Sequence, residues 1–303
     1  SNDISIYADL QVRNIDYKTS GSTSNIDELA VDKKYSFFNP KAGLNYDINQ
    51  KNKIYFSLSK AHREPTRSDF ENNINIQPEE LIDYELGWKY NAEKFLFNSN
   101  LYYMSYKNQL VLTGALDDVG SPIRENSGKS YRTGIELESV YKATNKLNIS
   151  ANISLSENKN VDYKTNYNGV IIDWGDTDIS FSPNVISSAG IQFSASQDLT
   201  FILLNKFVGN QYMSNTESII SKLSSYSTTD LNILYTIKNS VYFSEIIVTA
   251  MINNIFNKEY VSNGYYYTYD DIWSDPNLIT TIEGTGYYPQ AKRNFLLGLA
   301  FKL

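Results

Sequence analysis

No cysteine occurs in the chain, so disulfide staples and thiolate metal sites are excluded. Histidine occurs once, as His62, and a serine–histidine–acid triad would have to use it. It stands beside Arg63 with no serine or acid in an interpretable spacing, which favours a hydrogen-bonding role at the base of a connector over catalysis. No apolar run approaches the roughly eighteen residues of a spanning helix; the longest lies around Ile246 to Ile252. No segment concentrates Lys and Arg, and 27 basic against 34 acidic residues give a net charge of −7, which disfavours a nucleic-acid partner. No stretch rich in proline or glycine divides the 303 residues, so one domain is expected. The opening Ser1-Asn2 resembles an expression scar, and no leader can be read from it.

What the chain does contain is strict alternation of apolar and polar residues, repeated from end to end. Leu147, Ile149, Ala151, Ile153 and Leu155 share one parity, and Asn148, Ser150, Asn152, Ser154 and Ser156 the other. Successive side chains of a strand point to opposite faces, so this segment shows one greasy and one wet side. About twelve such segments lie near 3–17, 35–48, 53–61, 81–90, 94–106, 131–142, 147–158, 184–194, 199–212, 226–237, 243–253 and 291–303. Short connectors at 49–52, 91–93, 143–146, 195–198 and 238–242 alternate with long ones. The pattern predicts an all-β fold, an antiparallel up-and-down transmembrane β-barrel of about twelve strands with the short turns on the periplasmic side. The acidic excess falls in the long connectors, at Asp117, Asp118, Asp173, Asp176, Asp270, Asp271 and Asp275, where a solvated loop surface accounts for it.

Two further regularities give the strands faces. Tyr46, Tyr90, Tyr141, Phe193, Tyr235 and Phe301 precede the short turns or the C-terminus on the aliphatic parity, as an interfacial aromatic girdle requires. Gly43, Gly87, Gly134, Gly190 and Gly298 fall on the opposite parity, where they ease coiling and admit a neighbouring ring. The rest of that inward parity is polar and carries both signs: Arg13, Lys41, Asp83, Glu85, Lys89, Arg132, Glu136, Glu138, Lys206, Asp230 and Asn232. Lipid would penalise each charge by about 2–4 kcal/mol at the midplane, so these face water or a polar plug. Glu136 and Glu138 on one strand face are more simply docking or pore-lining groups than a catalytic pair.

The segment Met251-Ile252-Asn253-Asn254-Ile255-Phe256-Asn257-Lys258-Glu259-Tyr260 resembles the penultimate-strand pattern of TonB-dependent outer-membrane transporters. Tyr288-Pro289-Gln290-Ala291-Lys292-Arg293-Asn294-Phe295, with Leu297, Gly298, Leu299, Phe301 and Leu303, is similar to that family's closing strand, although it ends in Leu303 where an aromatic is usual. Arg63-Glu64-Pro65-Thr66 and Pro78-Glu79-Glu80 leading into Tyr84-Glu85-Leu86-Gly87 resemble the middle of such barrels. His62 and Glu64 stand where the Arg-Pro motif more often has Phe and Ala, and the ligand histidine of haem receptors is absent. The resemblance implies the C-terminal portion of a twenty-two-stranded barrel, lacking its N-terminal strands, plug domain and TonB box. It also implies a Gram-negative outer membrane, with lipid, the missing plug, the TonB complex and a small-molecule ligand such as a ferric chelate as partners. Neither enzyme activity nor a cofactor is implied.

Such a transporter binds ligand through its external loops, and the last long connector is the candidate. Tyr260, Tyr265, Tyr266, Tyr267, Tyr269, Asp270, Asp271 and Trp273 place rings beside carboxylates, a set able to stack on a flat chelate and bond its rim. Asp173, Trp174 and Asp176 form a weaker copy, and neither group has metal-ligand spacing. The inward residues Arg13, Glu85, Lys89, Arg132, Glu136 and Glu138 are candidates to meet the plug. The alternatives are a self-contained small barrel acting as a passive channel or adhesion module, and a soluble β-rich binding protein. In a half barrel the two edge strands would need partners.

Overall fold

A computed structural model describes residues 3–22, 26–117, 120–167, 170–238, 242–271, 273–274 and 280–302. Asp118 and Asp275 of the loop acids lie outside the described residues, as do Ser1, Asn2 and Leu303. The chain opens with β1 (Ile4–Gly21), β2 (Leu29–Asn49), β3 (Asn52–Arg63), a short helix α1 (Arg67–Asn72), β4 (Glu79–Asn91) and β5 (Phe95–Lys107). The hairpin β6 (Leu110–Leu116) and β7 (Pro122–Asn126) precedes β8 (Lys129–Lys142), β9 (Leu147–Tyr167) and β10 (Val170–Asp178). Then come β11 (Val185–Ser194), β12 (Leu199–Val208), the bridges β13 (Gln211–Tyr212) and β14 (Lys222–Leu223), and β15 (Tyr226–Lys238). The chain finishes with β16 (Glu245–Asn253), β17 (Val261–Asp271), β18 (Thr280–Pro289) and β19 (Asn294–Lys302).

Twelve of these strands build one antiparallel wall in the order β1-β2-β3-β4-β5-β8-β9-β11-β12-β15-β16-β19. They correspond one for one to the twelve alternating segments. Among the described residues, β1 pairs only with β2 and β19 only with β16. The segment 199–212 was expected as one strand but divides: β12 ends at Val208, Gly209 donates to the Val185 carbonyl, and Gln211–Tyr212 pair with β14 instead. At the loop end several strands outrun the pattern, with β9 reaching Tyr167 and extending into β10.

The register sorts the two faces as the alternation requires. Aliphatics and the girdle rings Tyr46, Tyr141, Phe193, Tyr235 and Phe301 are exposed on the outer face. Other rings join them there: Trp88 lies 5.5 Å from Phe97, Phe95 6.4 Å from Tyr141, and Phe243 4.8 Å from Phe301. On the inner face the Gly43 position lies against the Tyr7 ring and Gly87 against the Tyr55 ring, each ring from the adjoining strand. The lumen is therefore less purely polar than its sequence parity suggests, because tyrosines lie flat along it.

The long connectors fold rather than wander. The one after β3 turns inward at Pro65, and Thr66 caps α1 through reciprocal bonds with Asp69, whose Oδ2 lies 2.7 Å from the Thr66 amide. Phe70 of α1 packs fully buried with Leu29, Val31, Ile76 and Leu110, and stacks on Tyr17 at 5.2 Å. The Arg-Glu-Pro-Thr motif is thus an anchor for an inward fold: Glu64 also holds Arg13 at 2.6 Å. His62 stacks on Phe37 at 4.8 Å, with Nδ1 2.8 Å from Asn39 Oδ1 and Nε2 3.2 Å from Glu80 Oε2. Its partners bind strands β2, β3 and β4 together, the connector-base role expected of it.

Candidate ligand site

The Asn-Asn-Ile-Phe-Asn segment launches the last long connector. Asn254 and Asn257 have φ of 50° and 55°, left-handed values that asparagine tolerates because its short polar side chain bonds locally. The Asn254 amide donates to Asp230 Oδ1 at 2.7 Å, and its side chain both accepts from the Lys258 amide and donates to the Lys258 carbonyl, each at 2.8 Å. Asn257 Oδ1 accepts from the Arg293 amide at 3.1 Å, joining the connector's exit to its return. These residues hold the base of the hairpin and leave its faces free.

Between these anchors β17 and β18 pair antiparallel, with a bulge between Val261 and Asn263. Alternation puts Tyr265, Tyr267 and Tyr269 on one face and Tyr266 on the other. Tyr265 and Tyr267 lie 6.2 Å apart with planes 24° apart, and Tyr267 and Tyr269 lie 6.4 Å apart at 20°. Tyr288 of β18 continues the row, 6.0 Å from Tyr265. Opposite them stand glycines. A Cβ on Gly286 would lie 2.2 Å from the Tyr265 ring and one on Gly284 2.4 Å from the Tyr267 ring, so the rings spread across bare backbone. The result is a tyrosine floor on which Tyr267, Tyr269 and Tyr288 are exposed.

Tyr266 was grouped with these rings but is buried on the reverse face against Met213 and Leu223. Its hydroxyl donates to Glu283 at 2.6 Å, and burial together with that carboxylate pushes its pKa up to about 12. Asp271 accepts from the Trp273 and Ser274 amides at 3.0 Å and from the Ser274 hydroxyl. That hydroxyl and those amides hold its carboxyl below the ordinary range, and its structural task is to tie the turn. Trp273, within that turn, is exposed. For Asp270 the described structure gives only its ladder partner, Thr281. Trp174 sits on a different hairpin, where its indole donates to Thr165 at 2.9 Å. Tyr260 stacks on Tyr226 at 4.4 Å at the hairpin base.

The hairpin rests on an interlocked bed. Asn215, fully buried, accepts from the Ser180 amide at 2.9 Å and donates to the Leu112 carbonyl at 2.9 Å, joining three connectors. Gly114, at φ 91°, lets β6 approach Met213: a Cβ there would meet the Met213 carbonyl oxygen at 2.4 Å. Nearby the Tyr163 hydroxyl donates to Glu125, and burial raises the pKa of both groups. Between the β6–β7 hairpin and the foot of β17 lies a cavity of about 470 Å³, lined by Leu112, Leu116, Pro122, Phe181, Asn263 and Tyr288 among others. Among the described residues, none that lines it carries a charge. It opens beside Tyr288 and Asn263, the lower end of the tyrosine floor.

The other candidates lie on the inner wall. The registers put Arg13, Glu85, Lys89, Arg132, Glu136 and Glu138 on one face. Lys89 lies over the Tyr55 ring at 5.2 Å, Glu138 accepts from Asn98 at 3.1 Å, and Arg132 donates to Asn158 at 3.1 Å and Ser182 at 2.9 Å. Tyr55, Lys89, Asn100, Glu136 and Glu138 help line a second cavity of about 470 Å³. Arg13 stands apart, committed to Glu64 and the His62 carbonyl. No cluster of three or more His, Asp or Glu able to hold a metal occurs among the described residues.

The family model described as TonB dependent receptor-like, beta-barrel matches residues 3–255. The chain belongs to this family of receptor barrels. No curated protein sequence matches it. Among solved structures, the siderophore receptor PiuA from Acinetobacter baumannii superposes with a TM-score of 0.75 at 16% identity, over 99% of this chain and 41% of that one. The ferric yersiniabactin uptake receptor FyuA from Yersinia pestis gives 0.69 at 15% identity, over 99% and 43%. The copper transporter OprC gives 0.71 at 16%, over 100% and 45%. At such identities the likeness is one of fold, and this TonB-dependent receptor barrel spans less than half the length of each.

Tyr288, Asn263 and the two floor glycines were missed from the sequence of this receptor barrel. A signal was present: Tyr265-x-Tyr267-x-Tyr269 and Gly284-x-Gly286 share the period of two. Pairing them required knowing that the connector folds back on itself.

Proposed function

We propose that the chain is the ligand-binding barrel portion of a TonB-dependent outer-membrane receptor that takes up a scarce nutrient as a small chelate, most simply a ferric one. The observation that carries this reading is the exposed tyrosine floor running down to a cavity at the loop end of the wall whose described lining is uncharged. Flat rings above a cavity of this size suit a small molecule of several rings better than a protein partner. On this reading the short turns lie in the periplasm and the floor lies outside the cell.

The chain makes up the C-terminal portion of a larger barrel, a reading supported by its span of less than half of each solved receptor chain. The inner-wall residues Glu85, Lys89, Glu136 and Glu138 meet a plug domain supplied elsewhere in the protein. Asp83 Oδ1 and Asn100 Oδ1, on the same face, are buried without a hydrogen-bond partner among the described residues, which suits a surface that a polar partner completes. Uptake and signalling to TonB, not bond chemistry, are the proposed activities.

Deleting the gene and growing the strain on a panel of chelates, each as sole iron source, tests this function. Growth should fail on at least one chelate and return with the intact gene, but not with a Tyr267→Ala/Tyr269→Ala gene. Unchanged growth on every chelate would overturn the iron assignment.

A further inference from the structure

The hairpin's own charge is one-sided, and the cations at its foot, Lys222 and Lys258, line a separate pocket with Val261 and Tyr287. Residues 261–289 contain Asp270, Asp271, Asp275 and Glu283 and not one Lys, Arg or His. Glu283 lies on the reverse face with Tyr266, and Asp271 sits at the far end of the floor. The described residues that line the cavity at the near end supply aliphatic, aromatic, amide and hydroxyl groups and no ionised side chain. An anion entering the cavity would lose water and meet no cation among its described lining residues, only ring faces that repel it. A neutral ligand loses nothing comparable, and a cation gains from the same negative ring faces. The rings lie roughly parallel in steps of 6.2 and 6.4 Å, so they offer a continuous flat surface longer than a single ring.

We infer that the floor and cavity select chelates carrying no net negative charge: neutral or cationic metal complexes. This inference rests on the proposed function, because it specifies the ligand of that same site. Three elements set the selection. The tyrosines Tyr265, Tyr267, Tyr269 and Tyr288 supply the stacking surface. Glycines 284 and 286 keep it level, since any side chain there would lift a ring. Asn263, exposed on the same face and bordering the cavity, is the position where a single positive charge would reverse the preference.

Equilibrium binding of three chelates to the full-length receptor in detergent tests this. The probes are a neutral ferric tris-hydroxamate, a cationic ferric chelate and a trianionic ferric tris-catecholate of similar size. Binding of the neutral or cationic probe at least ten-fold tighter than the trianion is expected. Tyr267→Ala and Tyr269→Ala should each weaken the favoured probe several-fold, and Asn263→Arg should raise affinity for the trianion while lowering it for the cation. If the trianion binds as tightly as the others and still depends on Tyr267 and Tyr269, the charge inference falls and the site stands. If no probe binds, or if the tyrosine variants leave binding unchanged, the site and the inference fall together.

Discussion

At Gly87 an added Cβ would lie 2.0 Å from the Tyr55 ring, while at Gly134 it would lie 2.4 Å from the Leu155 carbonyl oxygen. A ring at the end of its side chain can swing aside, but a ladder carbonyl cannot move without its strand. Gly298 is open, with nothing nearer than 3.8 Å. Alanine should therefore cost about 1 kcal/mol at Gly87, about 2–3 kcal/mol at Gly134, and within roughly 0.5 kcal/mol of nothing at Gly298. Urea midpoints for folding into lipid vesicles give the ranking; an equal cost at all three positions would contradict it. In sequence these glycines look alike, because parity reveals which face a residue occupies and not what lies opposite. The same limit explains Tyr266, whose neighbours in the chain, Tyr265 and Tyr267, suggested a cluster that alternation splits in two.

The wall strands were readable because each is sorted by two solvents, and the sorting repeats every second residue regardless of distant contacts. The connectors obey no such rule. Asn215 reaches Leu112 across 103 positions, and Leu110, Phe70 and Val31 gather from three separate connectors or strand ends. Proximity of that kind leaves no periodic trace. Within this bed Glu125 is the element's pH-sensitive contact, facing the Tyr163 hydroxyl. Burial raises its pKa above the ordinary 4.5, so the protonated acid supports the packed hairpins fully below about that pH and less as pH rises through the raised value. Hydrogen exchange of the 110–126 hairpin, corrected for intrinsic rates, should show less protection at pH 8 than at pH 5. Glu125→Gln, neutral at every pH, should flatten that difference; an unchanged pH dependence would remove Glu125 from this role.

At the scale of the molecule, each side of the wall has its own task. The outer face carries aliphatics and girdle rings, the inner face carries charges and flat tyrosines, and the loop end carries a packed bed with a tyrosine floor above it. The terminal strands β1 and β19 expose more apolar surface than the middle of the wall: Ile6 is 75% and Leu297 73% exposed, against 50% for Leu101. Such edges suit further strands of the same barrel. The fold and the family thus came from the alternation and the end motifs, while the site's shape came from cross-strand pairs that only the folded connector reveals. Energised uptake separates the proposed receptor from a passive channel built on the same wall. The decisive measurement is accumulation of radioactive iron, supplied as the chelate that the deletion strain fails to use, by cells carrying the full-length gene with and without TonB. The account predicts accumulation that disappears without TonB and falls several-fold in Tyr267→Ala/Tyr269→Ala. Accumulation that proceeds equally well without TonB would contradict it.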